Sequence, residues 1–568
     1  MDRRDKLAEM LKEYDERYDS KLCLLGECCK QRGYHTNIKN GTWVHSAERS
    51  LMYAVALMDT GEYSRAADTA AAVVKLQETD KDSGYFGIWP YFYEEPVSEM
   101  SPPDPNSADF CSKMLLQLLI DYSDVLVEDL KESITNAVKN ACCAIMRRDV
   151  EIQYTNVVLM DTYVTVIAGE LFGDVTLLEF GKNKLTRFWA YTQSMGGLNE
   201  YNSPNYNLLV ARDIALFMRQ VRDAEIKGIL EEINDFVWRG IAEHFFVPLN
   251  EWTAPNARRY EDFLTEAQLS EVEAAARGDE SDIIGLFAMR DRLECPVKYR
   301  KSFFEPQEKY IQRINSYGYM YPYFAFAQVN TTYMTKRYAL GSYNRSEMWN
   351  QIRPLQMFFG DADNKKSLRL RVLHDCYDFS SGLLHCVQYR NKILGSIGFS
   401  TDRGDTHISI DTLKDGRFKA SELAAVFEVT GDISYEAKEN RFYIHDESCN
   451  ILIDVFDAGF GGENAEMRIT HDGDKTVFAV VLYSGEEKEI SLTETEEAFC
   501  GFYMEVYESV PSLYNIEATK RDSRLTALVQ TEGVELKIEN SICPELFSVS
   551  TMLDKQYING ERIEDISR

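Results

Sequence analysis

Near residue 298 the periodicity of the chain changes from helical to strand-like, and no single layer of structure satisfies both patterns. Before that point SAERSLMYAVALMDTGEYSRAADTAAAVVKLQ, beginning at Ser46, spaces its apolar residues at helical intervals, breaks at Thr60-Gly61 and resumes. This predicts helix, tight turn, helix. The pattern returns from Asn106, from Tyr154 and from Asn205, so four such units follow one another. Beyond it, MFFGD, LRLRVL, KILGSIGFS, THISIDTL, ELAAVFEVTG, RFYIHD, NILIDVF, KTVFAVVLYSG and FCGFYMEVY are short, rich in β-branched and aromatic residues, and separated by turn signals. A chain of 568 residues also exceeds one typical core. The expected organisation is α+β and multidomain: a helical domain over 1–275, a linker over 276–297 reached through the charged EAQLSEVEAAARGDESD, and an antiparallel β-sandwich over 298–568 with a smaller C-terminal sheet.

Charge narrows the range of partners. The formal net charge of -30 opposes a general nucleic-acid or anionic-membrane surface, because phosphate binding needs a basic field. The opening MDRRDKLAEMLKEYDERYDS is charged throughout, and no later run reaches the roughly 20 apolar residues of a membrane span, so the sequence reads as cytoplasmic. The twelve cysteines form no CxxC pair and no Cys/His set of zinc spacing, which predicts buried free thiols. No cofactor is indicated; a structural divalent metal is compatible with the sequence but no ligand spacing calls for one. The oligomeric state is not encoded in any feature of this kind.

Each helical unit is introduced by a polar, aromatic-rich loop. These loops carry His45, Asn106, Asn156, Asn202 in EYNSPNY and Asn256 in EWTAPNARRY, roughly 45 to 60 residues apart, the length of one hairpin with its connection. In an up-down array alternate connections lie at one end, so the loops are expected to converge on one face. Trp43, Trp89, Tyr91, Trp189 and Trp252 sit in or beside them. Sugar rings stack on aromatic faces while their hydroxyls pair with amides and carboxylates, and this mixture suits a glycan cleft.

Together with VHSAERSLMYAVALM, DPNSADF, YTNVVLM and the sandwich opening YMTKRYALGSYNRSEMWNQ, these loops resemble the heparinase II/III-like and alginate-lyase-like polysaccharide lyases. The resemblance covers most of residues 40–400 and implies an incomplete (α/α) toroid of helical hairpins followed by the sandwich. It also implies β-elimination from a uronic acid in an imported oligosaccharide. In sequences of this kind the fifth loop often reads Pro-His-Ser-Arg, where this chain has Pro255-Asn256-Ala257-Arg258.

Elimination removes a carbon-bound proton beside a carboxylate whose charge must be neutralised, and amides, imidazole or guanidinium do this without metal. Tyr206 is the first candidate for acid and base, in the role of a tyrosine of lowered pKa that the lyase families imply, with Tyr201 and Tyr260 as substitutes. His45 is assigned as partner base or neutraliser, and Asn156 and Asn202 as neutralising amides. Trp43, Trp89, Asn106, Asp109, Trp252, Asn256, Arg258 and His374 complete the expected substrate-binding set, His374 reaching over from the sandwich as the resemblance implies.

Other readings of the same residues exist. Helical toroids also host glycoside hydrolases, for which Glu200 with Asp104, Asp109 or Asp161 supplies the two carboxylates. A scaffold that binds glycans without turnover is a third class. Locally, Asn202 and Ser203 before Pro204 read as a helix N-cap, His45 and Asn106 as caps, Arg258 with Arg259 as a solvated pair, and Trp189 as core. GFGG from Gly459 and Arg403-Gly404-Asp405 are turns, Asn344-Arg345-Ser346 carries no meaning as a glycosylation site in a cytoplasmic chain, and His385 is an outlier on a strand.

Overall fold

Local chemistry starts and stops the helices where the sequence says. Ser46 caps α2 (Ala47–Thr60) by accepting from the Arg49 amide, and Gly61, at φ 88°, ends it in the left-handed conformation that glycine adopts without steric cost. The chain then turns into α3 (Tyr63–Val74). A computed structural model of the protein describes residues 3–280, 282–290, 292–317, 326–402, 413 and 415–566. Within it α1 (Arg3–Asp15) precedes this hairpin, and α4 (Ser107–Asp121), α5 (Glu128–Arg148), α6 (Thr155–Phe172), α7 (Val175–Met195), α8 (Pro204–Gln220) and α9 (Ala224–His244) follow it. The run from Thr155 to Gly169 in α6 is buried on every side, as expected of a helix apolar all round that runs through a core.

The chain divides into two compact units, one of Met1–Thr192, Leu208–Trp238 and Glu266–Pro296, the other of Gln193–Asn207, Arg239–Thr265 and Val297–Arg568. The first is the incomplete helical toroid. The sequence reads one helical stretch to 275, whereas the segments 193–207 and 239–265 are built into the unit that holds the strands. Close backbone approach accounts for this. A Cβ on Gly196 would stand 2.5 Å from the Ile314 carbonyl oxygen, and one on Gly341 would stand 2.0 Å from that of Ala254, so glycine alone lets each loop lie against its strand.

The second unit is an antiparallel sandwich. One nine-stranded sheet runs in the order Glu466–Asp472, Lys475–Ser491, Arg417–Thr430, Lys365–His374, Leu355–Gly360, Tyr338–Tyr343, Phe326–Met334 and Lys309–Tyr317, with Tyr377–Asp378 paired to Lys365–His374. An eight-stranded sheet contains Arg441–His445, Asn450–Phe460, Ala498–Tyr507, Lys392–Phe399 and Gly382–Tyr389 as successive neighbours. A five-stranded sheet beginning at Tyr514–Arg521 closes the chain. The alternation in LRLRVL shows why the sheets face each other: Leu368, Leu370 and Val372 enter the core with Phe427, Ile397 and Phe502, while Arg369 and Arg371 point the other way and pair with Glu428. Each such buried side chain contributes about 1.5 to 3 kcal/mol. The expected strand THISIDTL and the Arg403-Gly404-Asp405 turn lie outside the described residues, apart from Leu413.

Candidate active site

The loop GGLNEYNSPNY and the loop EWTAPNARRY meet in the second unit. Ser203 is the hinge of the contact: its hydroxyl donates to the Arg258 carbonyl at 2.6 Å and accepts from the Tyr206 amide at 3.2 Å, capping α8, whose first residue is Pro204. Asn202, at φ 50°, donates to the Thr253 and Pro255 carbonyls at 2.8 Å each and accepts from the Trp252 indole at 2.5 Å. Asn256 donates to the carbonyls of Asn202 and Thr253 at 2.6 and 2.9 Å. These amides therefore tie the two loops to each other. They were expected to face the substrate; the polar groups of Asn202 are instead engaged by the protein, and Trp252, fully buried, is part of the tie rather than a sugar platform.

The tie presents Tyr206, Arg258 and Tyr260 together. The two tyrosine hydroxyls are 2.8 Å apart, and Tyr260 is 46% exposed, so the pair is open to solvent. The Arg258 guanidinium lies 5.7 Å from the Tyr206 ring centroid and 4.5 Å from that of Trp349, and it donates to Gln351 at 2.6 Å. Arg258 and Arg259 are both buried, not a solvated pair. Arg259 is structural, bonded to Glu251 at 2.7 Å and to the Trp252 carbonyl at 2.6 Å. Burial raises the Tyr206 phenol, the Glu200 charge and Tyr260 raise it further, and Arg258 only partly opposes them. The lowered pKa expected from the sequence is thus absent in the free protein.

Tyr201, one of the expected substitutes, is paired with a histidine that sequence reasoning missed. Tyr201 lies 3.1 Å from Nε2 of His244, whose Nδ1 is 2.8 Å from the Gly240 carbonyl. A carbonyl only accepts, so Nδ1 carries the proton and Tyr201 donates to Nε2. Burial lowers the His244 pKa to about 4 and raises the Tyr201 phenol, leaving both neutral. Trp349 and Gln351 were missed as well, although they lie in the EMWNQ segment that carried the resemblance. Nothing in the local pattern marks them, because their partners arrive from the fifth loop.

Most of the remaining candidates belong to the first unit. In the first unit His45 sits at the end of the strand Trp43–His45, with Nδ1 2.5 Å from Glu94 and Nε2 3.8 Å from Asp19; the cap of α2 is Ser46, not His45. Trp43 is 54% exposed, and a Cβ on Gly26 would stand 2.6 Å from its indole nitrogen, so the ring rests on bare backbone. Trp89 is fully buried and donates to the Val73 carbonyl, which makes it core. Asn156 is buried, and its carbonyl oxygen has no hydrogen-bond partner among the described residues. Asn106 makes no side-chain cap bond and accepts from Arg148 at 2.8 Å instead. Arg148 also binds Asp109 at 2.9 Å and Asp161, and Lys184 binds Asp161 at 2.7 Å. Both carboxylates are wholly buried, and burial together with the Asp161 charge raises Asp109 well above the usual range. Asp104 is buried and accepts from Tyr91 and from the Asn106 amide. Both oxygens of Asp104 and of Asp161 are committed to internal partners, whereas Asp109 accepts through one oxygen only, its Oδ1 meeting no hydrogen-bond partner among the described residues. Trp189, half-buried, bonds Glu232 at 2.6 Å.

In the sandwich His374 packs among Phe379, Phe418 and Tyr377 at ring distances of 5.0, 5.7 and 6.2 Å, which is strand packing. His385 lies 3.1 Å from both Asp554 and Ser550, but all three are buried, so this Ser/His/Asp grouping joins the sandwich to the C-terminal segment. No group of three or more His, Cys, Asp and Glu side chains able to hold a metal occurs among the described residues, and no described helix is long and apolar enough to cross a membrane.

Comparison with known proteins agrees with this architecture. Residues 6–270 match the family described as Domain of unknown function (DUF8769), and no curated protein matches the chain. Among solved structures, a chondroitin AC lyase of Streptomyces coelicolor A3 in complex with chondroitin sulphate is 8% identical over 95% of this chain and 84% of its own, with a TM-score of 0.52. A heparinase III is 9% identical over 86% and 82%, with a TM-score of 0.43. At such identity the likeness to the chondroitin lyase is one of fold: a helical toroid followed by antiparallel sheets.

Proposed function

We propose that the protein cleaves a uronic-acid-containing oligosaccharide by β-elimination. The observation that carries this reading is the Tyr206–Tyr260 hydroxyl pair, 2.8 Å apart, beside the guanidinium of Arg258, which Gln351 and Trp349 hold in place. Arg258 neutralises the uronate carboxylate, which acidifies the adjacent C5 proton. Tyr206, as phenolate, takes that proton while the C4–O bond breaks and a C4=C5 double bond forms. Tyr260 gives its proton to the leaving oxygen. Transfer across the short Tyr206–Tyr260 hydrogen bond then restores both groups, so no water is consumed.

Tyr206 is held neutral, and a phenolate forms only at the cost of burying a charge beside Glu200. Arg258 offsets part of that cost. The choice of a uronate over a neutral sugar follows from the buried cation at the heart of the group, which attracts a carboxylate locally against the repulsion of a chain of net charge -30.

A panel of acidic and neutral oligosaccharides tests the reading. Unsaturated-product absorbance that rises together with new reducing ends supports elimination. Reducing ends without absorbance mean hydrolysis, and neither signal across the panel, with sugar binding retained, means a binding protein.

A further inference from the structure

The geometry points to a second, non-catalytic binding site on the sandwich, a cavity that holds a single carboxylate-bearing sugar through Arg441. The cavity measures about 360 Å³ and is lined by Glu439, Asn440 and Arg441 from one hairpin, by Asp454 and Phe456, and by Tyr514 and Asn515 from the edge strand of the C-terminal sheet. That volume lies within the range of small-molecule sites. None of the residues proposed for elimination lines it.

Three features make it a built site. First, Arg441 is fixed but not consumed. Its Nε donates to Asp454 at 2.8 Å, the same carboxylate oxygen accepts from the Tyr514 hydroxyl at 2.6 Å, and the two terminal guanidinium nitrogens meet no acceptor among the described residues. A guanidinium held at Nε presents those nitrogens as a planar fork that matches a carboxylate. Second, Asp454 is buried and serves both partners at once, so it orients Arg441 and Tyr514 toward one space. Third, the strand Asn450–Phe460 carries a β-bulge here. Val455 pairs with Phe502 and Asp457 with Gly501, which leaves Phe456 as the extra residue, and its ring rests where a Cβ on Gly501 would stand 2.5 Å away. Bulges recur where a sheet redirects a side chain toward a site.

Chemistry selects the ligand. Arg441 takes the carboxylate, the Asn440 and Asn515 amides and Glu439 reach ring hydroxyls, and Phe456 with Ile516, both partly buried, form the apolar wall that a sugar face needs. The choice of a uronate rests on the elimination reading above. Bound here, one acidic unit of an oligosaccharide anchors the chain to the sandwich and lowers KM for longer substrates without altering the chemical step.

Glucuronate and glucose titrated by calorimetry into the full chain carrying Arg258→Gln, which removes the cation of the proposed active site, test the assignment. Saturable glucuronate binding is expected, at least tenfold weaker for glucose, and at least tenfold weaker on adding Arg441→Gln at unchanged thermal stability. If Arg441→Gln does not fold, Asn440→Asp in the exposed turn places a repelling charge at the mouth and is expected to weaken glucuronate in the same direction. Glucuronate binding that is absent, matched by glucose, or indifferent to both substitutions overturns the site. Failure of elimination leaves this titration untouched, so the two readings fail separately.

Discussion

The hydroxyls of Tyr206 and Tyr260 lie 2.8 Å apart although the residues are 54 positions apart in the chain. Ser203 and Asn202 create that proximity by pinning the second loop to the first. Tyr206→Phe keeps the ring against Arg258 and removes only the proton-carrying oxygen. It is expected to lower kcat roughly 100-fold to 10,000-fold with KM little changed, measured as unsaturated product formed per second. Tyr260→Phe, in which Tyr206 still takes the proton, is expected to lose less.

Because Tyr206 is raised above its usual 10.0, phenolate is scarce at neutral pH. The rate of elimination is then expected to climb about tenfold per pH unit between about pH 7 and pH 9, following the phenolate fraction. A profile that plateaus near neutrality assigns the base to another group.

Arg258 is positioned by Trp349, Gln351 and Tyr206 together. Arg258→Gln is expected to cost roughly 100-fold or more in kcat/KM on a uronate substrate. Arg258→Lys is expected to restore only part of that loss, since an ammonium lacks the planar fork.

His244 gives a stability signature. Its pKa is lowered to about 4 by burial, whereas an unfolded histidine titrates near about 6.5. Between those values the unfolded chain binds more protons, so this contribution is complete above about pH 6.5 and is lost as pH falls toward about 4. The loss amounts to about 3 kcal/mol, read from urea unfolding midpoints, and His244→Gln is expected to flatten the dependence over that window.

Gly341→Ala places a methyl 2.0 Å from the Ala254 carbonyl oxygen, which is backbone and cannot swing aside. It is expected to destabilise the fold by about 1 to 3 kcal/mol and to reduce elimination by displacing the loop that carries Arg258 and Tyr260. Thermal unfolding and single-turnover kinetics on the same sample separate the two effects.

What the sequence makes legible is local. Ser46 and Gly61 bracket α2 through bonds within a few residues, and Leu368, Leu370 and Val372 alternate as a half-buried strand must. Of GFGG, read as a turn, Gly461 and Gly462 turn at positive φ while Gly459 and Phe460 end the strand Asn450–Phe460. Loop roles are less legible because residue type does not encode burial. Trp43 and Trp89 read alike, yet one is 54% exposed and the other fully buried. His244 escaped notice because Tyr201, its partner, is 43 positions away. Asn202 and Asn256 suit a carboxylate equally well, and only the carbonyls of the neighbouring loop reveal what they hold.

The central claim is that cleavage proceeds without water, and the masses of the two products of one cleavage test it most directly. Elimination gives fragments whose masses sum to that of the substrate, one of them unsaturated, and Tyr206→Phe suppresses both. Fragments that together exceed the substrate by one water, or unsaturated fragments formed as fast by Tyr206→Phe as by the natural chain, contradict the account.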